Sequence, residues 1–218
     1  MSEIRVNNVI ADNGLDAVNF SKGINVSSGI ITATSFSGSG ANLTALPAAN
    51  ITGTLPAISG ANLTGTGITQ ADQWRITSGF NASSSAYITS NWERVDTDGF
   101  GQIGTGMSQS SGEFTFPSTG IYLIDFRSRG LSSSVSTYVG IKIYTTLNNS
   151  SYDEASNSYD SVASNGKYFA VGCQHIFDVT STSTHKVKFQ AESEATASFH
   201  GNSDRTDTGV SFLRLGDT

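Results

Sequence analysis

GEFTFPSTGIYLIDF, residues 112–126, decides how the rest of the chain is read. Glu113-Phe114-Thr115-Phe116 alternates polar with aromatic, the period of a strand that buries one face. Pro117-Ser118-Thr119-Gly120 interrupts it with turn residues. In GIYLIDF both registers are apolar: Ile121 and Leu123 in one, Tyr122, Ile124 and Phe126 in the other. Such a strand is central and covered twice, with one face on a sandwich core and the other on a neighbouring subunit.

Outward from this pair, the segments WRITSGF (74–80), AYITSNWERV (86–95), GQIGTGMSQ (101–109), VSTYVGIKIYTTL (135–147), GKYFAVGCQHIFDV (166–179), THKVKFQAE (184–192) and TGVSFLRLG (208–216) read as further strands. Within them the period is two: Val139, Ile141 and Ile143 enclose Lys142, and Val187 and Phe189 alternate with Lys186, Lys188 and Gln190. No amphipathic helix longer than two turns is found, and abundant Gly, Ser and Thr make a poor helix composition. About nine strands from residue 70 to 218 indicate an all-β sandwich or jelly roll able to bury its own core.

The first 69 residues have another character. Residues 1–36 hold short strand-like runs (EIRVNNVI, AVNF, GIITATSF), each with one apolar face and none able to hide it unaided. Residues 37–69 are repetitive: Asn42-Leu43-Thr44, Asn50-Ile51-Thr52 and Asn62-Leu63-Thr64 recur, and Leu46-Pro47-Ala48 returns as Leu55-Pro56-Ala57. Leu43, Leu46, Ile51, Leu55, Ile58 and Leu63 are too sparse for a monomeric core but suit a thin axial core between chains running side by side. The expectation is a thin extended or β shaft of three chains; a flexible linker is the competing reading. The N-x-[ST] triplets are read as repeat grammar, not glycosylation.

The chain of 218 residues carries a net charge of −6 and only 14% charged residues. With no basic patch, nucleic acid is not expected as a partner, and with no long apolar run neither is membrane insertion. A single cysteine excludes an intrachain disulfide framework. The start, MSEIRVNNVIADNG, lacks a signal-peptide pattern, so a soluble protein made in the cytoplasm is expected.

The quoted strand pair resembles the signature of the C1q/TNF-like domain family, an aromatic residue followed by Gly-x-Tyr-x-Phe-x-aromatic. Phe114 precedes Gly120, Tyr122 follows, Ile124 replaces the usual Phe, and Phe126 closes the pattern. TGVSFLRLGD is similar to the family's closing strand through Phe212 and Leu215, and HIFDVTSTSTHKVKFQAE to its penultimate strands. Met107 departs from it, standing where an aromatic belongs. The resemblance covers about 72–218 and implies a trimeric jelly-roll binding head on a stalk. It makes Phe114, Tyr122, Ile124, Phe126, Phe212 and Leu215 the core and trimer residues. Separately, the 37–69 repeat and the opening residues resemble tail fibres and other virion appendages of bacteriophages, notably those of marine cyanobacteria.

Catalytic constellations are absent from the sequence. His175, His185 and His200 have no metal-ligand spacing, Cys173-Gln174-His175 is only a pair, and Ser occurs without a G-x-S-x-G elbow. Asp96-Thr97-Asp98-Gly99 reads as a turn. No metal or cofactor is expected, although Asp153, Glu154 and Asp160 are the oxygen ligands a calcium ion takes, a ligand known in this fold family. The segment 148–166, read as a loop, offers Tyr152, Asp153, Glu154, Tyr159 and Asp160 for recognition of a sugar or protein surface. The segment 198–207 adds His200, Asn202 and Asp204. The expected organisation is an attachment segment gripping other virion proteins (1–36), a shaft (37–69) and a jelly-roll head (70–218). The expected function is a non-enzymatic homotrimeric virion fibre binding a host-surface glycan or protein. A capsid decoration or cement protein is the alternative, and a glycan-processing enzyme a more distant one.

Overall fold

Period-two patterning through the C-terminal part of the chain builds two antiparallel layers. The computed structural model describes residues 67–218. The attachment segment 1–36 and the shaft residues Leu43 to Leu63 lie outside the described residues.

Thirteen strands follow in chain order. They are β1 (Ala71–Ile76), β2 (Phe80–Ala82), β3 (Ala86–Tyr87), β4 (Trp92–Arg94), β5 (Ser108–Ser110), β6 (Glu113–Thr115) and β7 (Gly120–Ser132). After them come β8 (Ser136–Thr146), β9 (Asp153–Val162), β10 (Lys167–Val179), β11 (Lys186–Ser193), β12 (Ala197–Phe199) and β13 (Gly209–Gly216). The first sheet runs β2-β12-β7-β13-β1-β4, with β10 on the other side of β7; the second runs β5-β6-β11-β8-β9, with β3 on β11. The chain crosses from one sheet to the other at β2/β3, β3/β4, β4/β5, β6/β7, β7/β8, β9/β10, β10/β11 and β11/β12, the repeated crossing of a jelly roll. No helix occurs among the described residues.

β7 is the centre that its doubly apolar sequence demands. It pairs with β10 along its whole length and with β13 and β12 on its opposite edge. Tyr122, Ile124 and Phe126 are buried in the sandwich, where they join Phe114 and Phe212. Phe114 meets Trp74 and Trp92 edge-on at centroid distances of 5.4 and 5.0 Å. Edge-to-face contact of this kind adds about 0.5–1.5 kcal/mol per pair beyond the area buried. Leu215, grouped with these residues by sequence, instead stands 53% exposed, beside a register shift between Arg214 and Gly216.

Three stretches depart from the sequence reading. The strand expected over 86–95 is two strands in different sheets, parted at Asn91, whose φ of 62° breaks the extended backbone. The strand expected over 101–109 is a loop except at its end. There the buried Asp72 carboxylate accepts hydrogen bonds from Met107 N at 2.7 Å, Trp74 Nε1 at 2.9 Å and Arg94 Nε at 3.0 Å, so satisfied charge fastens the loop to β1. The segment 148–166, expected as a loop, contains the ten-residue strand β9. β9 has no apolar alternation; the ladder offered by β8 imposes its conformation.

Candidate functional site

The two sheets turn very different faces outward. On the first, strand register lines up Ile176 of β10, Leu123 of β7, Leu213 of β13 and Ala71 of β1, and Ala71 bridges to Ile103. Ile176 is 61% and Ile103 46% exposed, so the row is an apolar band open on the single protomer. Two residues along, the row turns polar, through Gln174, Asp125, Ser211 and Gln73. Beyond it the small side chains of Ala170 and Gly172 leave a depression of about 570 Å³ walled by ion pairs. Arg127 pairs with Asp125 at 2.9 Å, and Asp207 accepts from Arg129 at 2.8 Å and Arg205 at 3.0 Å. Partial burial works to raise the Asp207 carboxyl, but the two guanidinium groups outweigh it and hold its pKa below the usual value.

On the second sheet β8 buries Val139, Ile141 and Ile143 and turns Tyr138, Gly140, Lys142 and Tyr144 outward. Register sets Tyr159 and Glu192 either side of Gly140, Asn157 and Gln190 either side of Lys142, and Glu154 and Lys188 either side of Tyr144. Tyr87 lies beyond Gln190, and Glu113 beyond Lys188. Five of the chain's seven tyrosines (Tyr87, Tyr138, Tyr144, Tyr152 and Tyr159) therefore gather around this face. Tyr138 and Tyr159 meet edge to face at 5.9 Å, and Tyr87 and Tyr144 at 5.2 Å.

Ionic bonds fix the rings. Lys142 Nζ donates to Glu192 at 2.8 Å and to Glu154 at 3.1 Å. The hydroxyls of Tyr159, Tyr144 and Tyr152 donate to Glu192 at 2.7 Å, Glu154 at 3.2 Å and Glu113 at 2.7 Å. Lys188 pairs with Glu113 at 3.1 Å and stands 4.1 Å from the centre of the Tyr152 ring. Partial burial pushes the Glu192 carboxyl up, yet the hydrogen bonds from Lys142, Ser85 and Tyr159 together prevail and hold its pKa at about 2. Burial likewise opposes the charge on Lys142, and its bonds to Glu192, Tyr159 and Glu154 more than offset this, raising its pKa. Gly140 is part of the same construction. A Cβ there would stand 2.2 Å from Cδ1 of Tyr159, so only glycine lets that ring settle against the sheet. The buried Gln190 Oε1 in the next row has no hydrogen-bond partner among the described residues, an omission worth about 1–3 kcal/mol.

Of the residues that sequence singled out for binding, Tyr152, Glu154 and Tyr159 belong to this face. Asp153 and Asp160 are exposed at opposite ends of β9, about 23 Å apart at the rise of an extended strand. The calcium set Asp153–Glu154–Asp160 is thereby dispersed, since a strand separates ligands that a loop would have gathered. His200, Asn202 and Asp204 sit elsewhere, in the connection that follows β12. His200 packs edge-on to Tyr168 at 5.9 Å, the Asn202 side chain accepts the backbone N–H of Asp204, and the Asp204 carbonyl accepts from Thr97 Oγ1. Cys173 and His175 share the inward face of β10, where burial pushes the thiol up to about 12 and the imidazole down. Sequence reading missed Tyr87, Tyr138, Tyr144, Lys142 and Glu192. For Tyr138, Lys142, Tyr144 and Glu192 the signal was the polar register of the alternation that identified β8 and β11; Tyr87, on β3, joins them only through its pairing with Gln190.

No family model matches the sequence, and no curated protein matches it. Among solved structures, the fold is similar to the Eiger TNF of S. frugiperda, with a TM-score of 0.54 and 12% identity over 68% of this chain and 93% of that one. Murine APRIL gives 0.49 and 15% identity over 67% and 98% of the two chains. The PRD1 vertex protein P5 gives 0.45 and 12% identity over 69% and 99%. The likeness is one of fold: residues 71–216 form a TNF-like jelly roll.

Proposed function

We propose that this chain is a homotrimeric structural and binding protein of a bacteriophage virion, a fibre whose jelly-roll head attaches to a host-surface ligand. The observation that carries the trimer is the open apolar row Ile176–Leu123–Leu213–Ala71–Ile103. A soluble monomer has little reason to hold such a band in register across four strands; an assembling one covers it with another copy. The resemblance to C1q/TNF-like heads supplies the number three. The repeat at 37–69, with its resemblance to phage appendages, supplies the virion and the shaft, and residues 1–36 the attachment to other virion proteins.

The reading is of binding, not catalysis. Glu154 and Glu192 are both engaged by Lys142, and a carboxylate held at a pKa of about 2 makes a weak base and no acid near neutrality. Three heads on one shaft convert weak single contacts into useful avidity toward a repeated ligand. Light scattering on the purified chain tests the reading. A mass three times that of the chain is expected, and a monomer at micromolar concentration overturns it. Antibody labelling of intact particles then distinguishes a tail fibre from a capsid decoration.

A further inference from the structure

We infer that the outward face of the second sheet is a platform for uncharged oligosaccharides, one on each head; this rests on the binding role proposed above and names its ligand class and surface. The outward residues of β5, β6, β11, β8 and β9 include no aliphatic side chain, so the tyrosine rings carry the apolar area of the face. A pyranose has the matching chemistry: a C–H face to lay on a ring and a rim of hydroxyls for the polar groups around it. At the Tyr138–Tyr159 corner, with Glu192 at its side, the sheet forms a depression of about 510 Å³.

The charges on the face argue for a neutral ligand. Glu154 and Glu192 share Lys142, and Glu113 is matched by Lys188. Lys186, in the same register of β11, donates to the Thr115 hydroxyl and the Thr182 carbonyl. Three carboxylates thus stand against three lysines, and the face holds no excess of either sign. The remaining acceptor sites of the carboxylates suit hydroxyl donors. A protein partner fits less well, because the centres of protein interfaces are depleted in Lys and Glu, which here stand between the rings. Tethering of Tyr159, Tyr144 and Tyr152 through their hydroxyls removes ring motion before the ligand arrives, lowering the ordering cost of binding. The Tyr159 row and the Tyr144 row are four residues apart along β8, about 13 Å at strand rise. That spacing fits a short chain of linked sugars better than a single ring.

Saturation-transfer NMR on the full chain tests the inference, with cellotriose, maltotriose, xylotriose, galactotriose and chitotriose as neutral probes and a heparin trisaccharide and trilysine as charged ones. Transfer to the C–H protons of at least one neutral probe is expected. Tyr159→Ala and Tyr138→Ala should each weaken it roughly tenfold, whereas Tyr159→Phe, which keeps the ring and loses the tether, should stay within about threefold. No transfer to any neutral probe, transfer only to a charged one, or transfer indifferent to the alanine variants overturns it. Light scattering in the same samples separates the two readings. A trimer that binds no sugar defeats this inference alone, and a monomer that binds sugar defeats only the assembly.

Discussion

The outward faces of the two sheets are made from the same strand period and have opposite characters. The first carries an aliphatic row and, past a polar row, a depression floored by the small residues Ala170 and Gly172 and walled by ion pairs. The second carries tyrosines cross-braced by lysine and glutamate, with no aliphatic residue turned outward from its longer strands. An aliphatic row gains free energy only when water leaves it entirely, which a matching copy achieves. A tyrosine face keeps a polar handle on every ring and stays wet at its rim, so it can take and release a small polar ligand. On the function proposed above, the difference divides labour between assembly on one layer and recognition on the other.

The strongest way to break this division is to charge the aliphatic row. Leu123→Asp combined with Ile176→Asp places two carboxylates where the proposed copies meet, and a desolvated unpaired charge is far more costly than the lost apolar area. The trimer is expected to fall to single chains by light scattering. Far-ultraviolet circular dichroism should stay that of a β sandwich, since neither side chain faces the core. A variant that remains trimeric would remove the first sheet's role.

The next largest effect falls on the second sheet. Lys142→Met strips Glu154 and Glu192 of their common cation while keeping the stem's bulk. Both carboxylates are partly buried, so a loss of about 2 kcal/mol in unfolding free energy is expected, below the cost of breaking a fully buried pair. The denaturant midpoint should fall with an unchanged m-value. An unshifted midpoint would mean that the network is decoration, without structural weight.

How much of this was legible in the sequence follows from how local each signal was. GIYLIDF announced a central, doubly covered strand because both registers are apolar within one segment. VSTYVGIKIYTT announced β8 because Val139, Ile141 and Ile143 alternate. DEASNSYDSV gave no such sign: apart from Ala155 and Val162, which do not alternate, it carries no aliphatic residue, and pairing with β8 makes it a strand. The tyrosine face was half legible for the same reason. Tyr152 and Tyr159 sit together in one polar segment, whereas Tyr87 and Glu192 reach them through pairing between residues distant in sequence. Residues 101–109 misled in the other direction. Gly104 and Gly106, with φ of 73° and 72°, take the backbone out of the extended region.

Acid sharpens the comparison further. Glu192 has a folded pKa of about 2 against an ordinary value of 4.5, so its contribution to stability is complete above pH 4.5 and is lost as pH falls from there toward 2. Glu192→Gln removes that titration. The stability lead of the unmodified protein over this variant should be constant above pH 4.5 and shrink below it. A lead that persists unchanged at pH 2 would show that the carboxylate's charge is not what holds Tyr159 and Lys142.

The smallest expected effect marks where the aliphatic row ends. Leu215 is exposed beside the register shift in β13, one step beyond Leu213, and lies off the line that joins Ile176 to Ile103. Leu215→Ser should leave the unfolding midpoint of the head within about 0.5 kcal/mol, the usual range for surface substitutions. It should weaken trimer association by no more than about threefold, in a dilution series read by light scattering. A loss as large as that from the combined Leu123→Asp and Ile176→Asp substitution would extend the assembly surface past the register shift. The row would then be one part of a broader apolar face that includes the end of β13.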